Sequence, residues 1–216
     1  MFISKIGPEL RVGRGSGEFP FALPGLQSYM EEIRPKATEV PGVYNGVEAT
    51  LDLSRAAAEF SGDKNVIHLV LALASPVFGH RLIAHGMMSV TGAMMALLQS
   101  LKGTGFVPAG LVVDFSGAVF LREGDIPGDI LTYTVGEVVD GYCTVVASVE
   151  KRVVTTTCFS LRRGALSDDE LRRIILMLWF KSAALAKTWP GCIYISQQAD
   201  SGRNKSIGCG SFKRFR

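Results

Sequence analysis

The segment SGDKNVIHL, residues 61 to 69, holds an aspartate and a histidine, Asp63 and His68, that could exchange protons with a bound water molecule. At this spacing a regular helix would place them on different faces, so they converge only if a tight turn joins them. Gly62 and Asn65 favour such a turn. The residues alone leave two interpretations open: acid-base catalysis, or a capping turn above a packed His68.

A second segment, IAHGMM at residues 83 to 88, begins a strongly apolar stretch. A glycine at a helix start, Gly86, lets a ligand approach the backbone, and the unpaired amides there favour negative charge. An oxyanion site is built in this way. The alternative is a glycine needed only because its helix is closely surrounded. Taken by themselves, the residues favour a structural role for His85 and an exposed loop for His80.

Local sequence patterns predict the secondary structure that carries these residues. Alternating apolar and polar residues over 47 to 53 predict a strand, and Ser54 is the expected N-cap of a short helix that ends at Gly62. After an apolar run over 67 to 79, residues 83 to 101 are apolar on nearly every face, which is typical of a core helix.

The chain beyond residue 105 changes to an extended pattern rich in Val, Thr, Tyr and Phe. The predicted strands lie within residues 110 to 125, 129 to 139, 142 to 151 and 152 to 163. One buried helix followed by antiparallel strands indicates an α+β domain in which a curled sheet surrounds a single helix.

The two ends of the chain differ from this central part. Residues 1 to 42 are expected to be a partly ordered lead-in with two helical turns near residues 26 to 33, and residues 43 to 165 to be the main domain. A C-terminal helix and basic tail are expected over 166 to 216, with a capping box that starts the helix at about residue 168. Its apolar run, 174 to 180, is too short to cross a bilayer, and docking on the domain body is the favoured interpretation over docking on a partner chain or a membrane surface.

Composition limits the classes of function. The 216 residues carry a formal net charge of +3, but five basic residues and no acid lie in the last sixteen, so the rest of the chain has 18 basic and 20 acidic residues. Basic and aromatic residues are not interleaved along that part, and nucleic-acid binding is not expected.

The four cysteines contain no C-x-x-C pair, so neither a zinc site nor a disulfide framework is expected. A reducing compartment is the default, which makes the cytoplasm the expected location. A mitochondrial location is the alternative in a eukaryote, because the first residues are basic, although glycine and proline interrupt any amphipathic helix there.

Residues 60 to 88 together resemble the hydratase signature of the MaoC-like dehydratases, the (R)-specific enoyl-CoA hydratases and related 3-hydroxyacyl-thioester dehydratases. That pattern runs roughly S-G-D-x-N-P-[ILV]-H and, further along, [IV]-x-H-G-[ML]. The matching residues are Ser61, Gly62, Asp63, Asn65, Ile67, His68, Phe78, Gly79, Ile83, His85, Gly86 and Met87. A weaker similarity continues over the later strands to residue 163. Val66 replaces the family's proline, and Val70 replaces a common acidic residue.

The resemblance implies a hotdog fold and a catalytic pair, Asp63 and His68, that activates water for addition to a trans-2-enoyl thioester or catalyses the reverse dehydration of an (R)-3-hydroxyacyl thioester. It further implies that the amide of Gly86 polarises the thioester carbonyl and that Asn65 orders the loop. The residues expected to line the substrate site are Ser61, Gly62, His85 and Met87.

The implied substrate is an acyl-CoA or an acyl carrier protein thioester in fatty acid metabolism, handled by a homodimer without a metal or redox cofactor and without a membrane span. Two alternatives stay open at this point. One is a non-catalytic hotdog protein that binds acyl thioesters, and the other is a hotdog thioesterase.

Overall fold

The computed structural model describes residues 2–4, 25–70 and 79–188. The expectations for most of the lead-in, for residues 71 to 78 of the apolar run and for the basic tail with its two cysteines lie outside the described residues. The described strands are β1 (Phe2–Ser4), β2 (Lys36–Ala37), β3 (Val43–Glu48), β4 (Phe106–Phe115), β5 (Ile130–Val135), β6 (Tyr142–Val149) and β7 (Arg152–Arg163). The α-helices are α1 (Leu26–Glu32), α2 (Leu51–Ser61), α3 (Gly86–Ser100) and α4 (Asp168–Thr188).

Within the described residues the strands form one antiparallel sheet in the order β1-β4-β7-β6-β5-β3-β2. Helix α3 packs on β4, β5, β6 and β7, and α4 contacts α3 and α2. The predicted α+β class is therefore confirmed, and the sheet around one central helix is the hotdog arrangement that the sequence resemblance implied.

Helix α3 is buried on all sides, from Met87 to Leu97 without interruption. This explains its lack of a polar face, since a helix enclosed by a sheet and other helices has no solvent side. Gly92 allows the closest approach, because a methyl group at this position would overlap the hydroxyl of Tyr133 on β5. The sheet can thus approach the helix backbone closely at this point.

The strand predicted over residues 47 to 53 is wrong beyond Glu48. Strand β3 ends at Glu48, and α2 begins at Leu51 with Thr50, not Ser54, as its N-cap. The Thr50 hydroxyl accepts a hydrogen bond from the Leu53 amide at 3.3 Å, which satisfies one of the free amides at the helix start. This local cap overrides an alternation that extends only a few residues.

Helix α1 packs on α2, and α4 packs on α2 and α3. Tyr29 on α1 and Trp179 on α4 are almost fully buried and contact each other edge to face, at a centroid distance of 5.8 Å. The capping box of α4 is present, with Ser167 and Glu170 exchanging hydrogen bonds. The C-terminal helix therefore docks on the body of the domain, as its apolar run indicated. None of the described helices is long and apolar enough to span a bilayer.

Candidate active site

The loop that follows α2 is shaped by a series of side chain to backbone hydrogen bonds. Gly62 adopts the left-handed conformation (φ 71°) that ends the helix. The Ser61 hydroxyl accepts a bond from the Asp63 amide at 3.1 Å, and the Asp63 carboxylate accepts one from the Asn65 amide at 3.2 Å. The Asn65 side chain in turn accepts one from Ile67 at 3.3 Å. Backbone-shaping bonds of this kind give the loop a defined turn without the proline that the family has at position 66.

A short 3-10 turn, Val66–His68, completes the loop and brings the predicted pair together. Asp63 and His68 are both buried, with 9% of each exposed. One carboxylate oxygen of Asp63 and one ring nitrogen of each of His68 and His85 lie within 4.8 Å of one another. The predicted tight turn between Asp63 and His68 is therefore present.

The imidazole of His68 is oriented by the second motif. Its Nδ1 lies 2.8 Å from the carbonyl oxygen of Ile83. Because a carbonyl only accepts, Nδ1 must carry the proton, and Nε2 of the neutral ring then carries the free lone pair. The structure thus assigns a tautomer in which Nε2 can take a proton from water.

His85 contacts the same loop through a hydrogen bond and a ring contact. Its Nε2 lies 3.2 Å from the carbonyl oxygen of Asp63, to which it donates, and its ring stacks on His68 at a centroid distance of 4.0 Å. Only 3% of His85 is exposed, and within the described part of the chain its buried Nδ1 has no hydrogen-bond partner. His85 is therefore a packed residue that holds Asp63, which agrees with the structural role favoured by the residues alone.

Burial keeps both imidazoles neutral. It lowers the pKa of His68, and the hydrogen bond to Ile83 and the charge of Asp63 oppose this only in part. Burial and the neighbouring His68 lower the pKa of His85 to about 3. At neutral pH the site therefore combines an uncharged His68 with the nearby Asp63 carboxyl group.

Helix α3 begins beside this pair. Its first residue, Gly86, is exposed, and the helix leaves the Gly86 amide without an intrahelical partner. A Cβ atom at position 86 would lie 2.9 Å from the Phe115 ring, so the glycine is required by close packing as well. Both interpretations of Gly86, as a ligand-facing amide and as a small residue in a closely packed place, are thus compatible with its position.

Asp63, His68 and His85 are also the described groups that could approach a metal ion together. One nitrogen of each imidazole donates to a backbone carbonyl, which leaves a lone pair on His68 Nε2 and on His85 Nδ1. The two rings stack with 33° between their planes. A free lone pair on His68 Nε2 near the Asp63 carboxyl group is what proton transfer from a bound water requires.

The other predicted substrate-site residues have mainly structural contacts. The Ser61 hydroxyl donates to the Ala57 carbonyl at 2.6 Å and is buried, and Gly62 forms the helix cap. Met87 is buried in the first turn of α3. Their contact with substrate stays a prediction. Two features of the site were missed. The role of the Ile83 carbonyl could not be found, because a backbone atom leaves no signal in the sequence. The apolar run around Trp179 indicated that the helix docks on the domain, but not that Trp179 reaches this site.

The lowered pKa of His85 predicts a pH-dependent stability. The unfolded chain takes up a proton near pH 6.5 and the folded one only near pH 3, so stability is complete above pH 6.5 and decreases as the pH falls through that range. At pH 5 the loss from this group is about 2 kcal/mol. Urea unfolding at pH 7.5 and 5 should show that His85→Gln reduces this loss. The exposed His80→Gln should keep it, and an equal loss in all three proteins would contradict the assignment.

Comparison with known proteins gives no matching family model and no match among curated proteins. Among solved structures, the chain is similar to an (R)-hydratase from A. caviae involved in PHA biosynthesis, with 23% identity and a TM-score of 0.47 over 59% of this chain and 98% of that one. It is similar to R-hydratase PhaJ1 from Pseudomonas aeruginosa, with 23% identity and a TM-score of 0.47 over 59% of this chain and 83% of that one.

A third similar structure is a MaoC-like dehydratase from Phytophthora capsici, with 22% identity and a TM-score of 0.46 over 61% of this chain and 46% of that one. The chain thus spans less than half of the Phytophthora protein. Identity below 25% does not assign a reaction to the chain. The comparisons therefore describe what the chain is similar to, namely (R)-hydratases and MaoC-like dehydratases.

Proposed function

We propose that the protein is a hydratase or dehydratase that interconverts a trans-2-enoyl thioester and an (R)-3-hydroxyacyl thioester. The observation that carries the proposal is the buried Asp63 and His68 pair, with the His68 ring fixed on the Ile83 carbonyl beside the start of α3. The sequence resemblance to MaoC-like dehydratases supports the choice of this reaction among those that a neutral base and a carboxylate can perform.

In the hydration direction, the first step is the activation of water. His68 Nε2 takes one proton as the water oxygen forms a bond to C3 of the enoyl group, and the Asp63 carboxylate holds the other hydrogen of the water. The electron pair of the C2–C3 double bond moves toward the thioester carbonyl and gives an enolate. The carboxylate also stabilises the imidazolium that forms on His68.

The second step places a proton on C2. The enolate oxygen accepts a hydrogen bond from the Gly86 amide, where the positive end of the α3 dipole stabilises the developing charge. The proton on His68 returns to C2 as the carbonyl re-forms, so one water molecule has been added and the site is restored. Dehydration follows the same steps in reverse. Protons and water are the only species exchanged, and the proposed reaction needs no cofactor.

The proposed substrate carrier is coenzyme A or acyl carrier protein, as the resemblance implies for fatty acid metabolism. A non-catalytic thioester-binding protein and a thioesterase are the alternatives that the assay below distinguishes. Binding without turnover would favour the first alternative, and release of the free thiol would favour the second.

The chain should hydrate crotonyl-CoA, or a longer trans-2-enoyl-CoA, to the (R)-3-hydroxyacyl product. Asp63→Asn and His68→Gln should each lower kcat by at least about a hundredfold, because each removes a group that handles the proton of the water. The measurement is the loss of enoyl absorbance, with chiral analysis of the product.

The matched control is His80→Gln, which makes the same change at an exposed histidine and should leave kcat unaltered. Asp63→Asn keeps a side-chain oxygen that can accept the hydrogen bond from the Asn65 backbone amide, so circular dichroism should show a folded protein. Full activity in both the Asp63 and the His68 variant would rule out the assigned pair.

We also propose that the chain forms a homodimer, as the resemblance to MaoC-like dehydratases implies. Light scattering on the purified protein should then give about twice the 23.3 kDa mass of one chain. A mass of one chain at all concentrations would contradict this part of the proposal.

A further inference from the structure

Trp179 lies on α4, outside the region of sequence resemblance, and yet it reaches the candidate site. It is the largest of the fully buried side chains in the described residues, with 1% exposed. Its indole ring lies 5.3 Å from the ring of Phe60 and 5.6 Å from that of His85, measured between centroids. Helix α4, which lies beyond the predicted domain, thus contributes an aromatic wall, the Trp179 indole, that packs against the ring of His85.

Two of the rings that Trp179 contacts, those of Phe60 and His85, belong to the two motif segments. Phe60 precedes the turn that carries Asp63, and His85 precedes Gly86 at the start of α3. Across the same interface, His85 donates to the Asp63 carbonyl at 3.2 Å. One side chain therefore packs against both halves of the site, at the point where they meet.

A hydrogen-bond chain ties the indole to the first turns of α3. Trp179 Nε1 donates to the Thr91 hydroxyl at 3.1 Å, and that hydroxyl donates to the carbonyl of Met87 at 2.8 Å. Each of these polar groups is buried, so each bond is costly to break without a replacement. The hydrogen bonds therefore fix the orientation of the indole ring, in addition to its burial.

We infer that Trp179 is a positioning residue for the proposed reaction: its indole holds His85 against the loop of Asp63 and keeps water from the far side of the stacked histidines. The kinetic part of this inference rests on the proposed hydratase function. The structural part, which concerns the state of the His85 ring, does not.

The surroundings of His85 give this role a measurable consequence. The titratable groups that face it are Asp63 and His68, both from the loop after α2, while α4 presents the uncharged indole. Tyr29, on α1, contacts the indole of Trp179 edge to face, with 5.8 Å between the ring centroids. A smaller ring at position 179 would admit water, and a hydrated His85 accepts a proton more readily. A charged His85 beside His68 would then disfavour the imidazolium that the reaction requires.

The test is Trp179→Phe, which keeps an aromatic ring but removes the N–H donor and part of the wall. We expect kcat for crotonyl-CoA hydration to fall about tenfold or more, with KM changed little, because the catalytic groups are displaced while the substrate contacts remain. The acid limb of the kcat profile should move to higher pH, because a hydrated His85 takes up its proton at a higher pH. Unchanged kcat and an unchanged pH profile would overturn the inference.

A second readout does not depend on activity. The chain has three histidines, so an NMR titration with His80→Gln as an assignment aid can follow His85 directly. In Trp179→Phe the His85 resonances should titrate at higher pH than in the unaltered chain. Absence of hydratase activity in the chain without substitutions would contradict the proposed function. A His85 titration that is the same in Trp179→Phe as in that chain would contradict the positioning role.

The matched control is Ile175→Ala, one turn away on α4 and also fully buried. It should lower stability but leave the acid limb and the His85 titration in place, because the indole remains. If Trp179→Phe does not fold, Thr91→Val removes the acceptor of the indole N–H and keeps the ring. That variant should show the same direction of change, and a result identical to the unaltered chain would overturn the inference.

Discussion

The candidate site depends on the hydrogen bond between His68 Nδ1 and the Ile83 carbonyl, at 2.8 Å. This bond joins the loop that carries Asp63 to the segment that starts α3, and it selects the tautomer whose free lone pair is on Nε2. Because the bond lies in a buried place, water cannot readily replace it. A loss of this bond would release the ring and separate the base from the helix start that is proposed to hold the carbonyl.

The surrounding fold supplies what this bond requires. The sheet encloses α3, so Gly86 at its first residue is held in place by a fully packed helix, while the glycine itself stays exposed. The loop before it is shaped by its own polar side chains, and α1 and α4 add the buried rings of Tyr29 and Trp179. The aromatic wall lowers the polarity around the histidines, which favours their neutral form. Packing and proton chemistry are thus linked through the same residues.

Much of this could be predicted from the sequence, and the failures have physical causes. An apolar composition on nearly every face predicted α3, and enrichment in Val, Thr, Tyr and Phe predicted the strand β7. The turn propensity of Gly62 and Asn65 indicated how Asp63 and His68 could converge. The helix start at Leu51 was missed because one side-chain cap at Thr50 outweighs a short alternation. The contact of Trp179 with His85 could not be predicted, since residues 94 positions apart meet only through the packing of α4.

The most direct test of the proposed acid-base mechanism is the protonation state of the His68 ring nitrogens at neutral pH, read from nitrogen-15 NMR of histidine-labelled protein. We predict a neutral His68 with its proton on Nδ1, and a neutral His85 with its proton on Nε2. A His68 that carries its proton on Nε2, or a doubly protonated ring at pH 7, would contradict the assignment of Nε2 as the base that takes the proton from water.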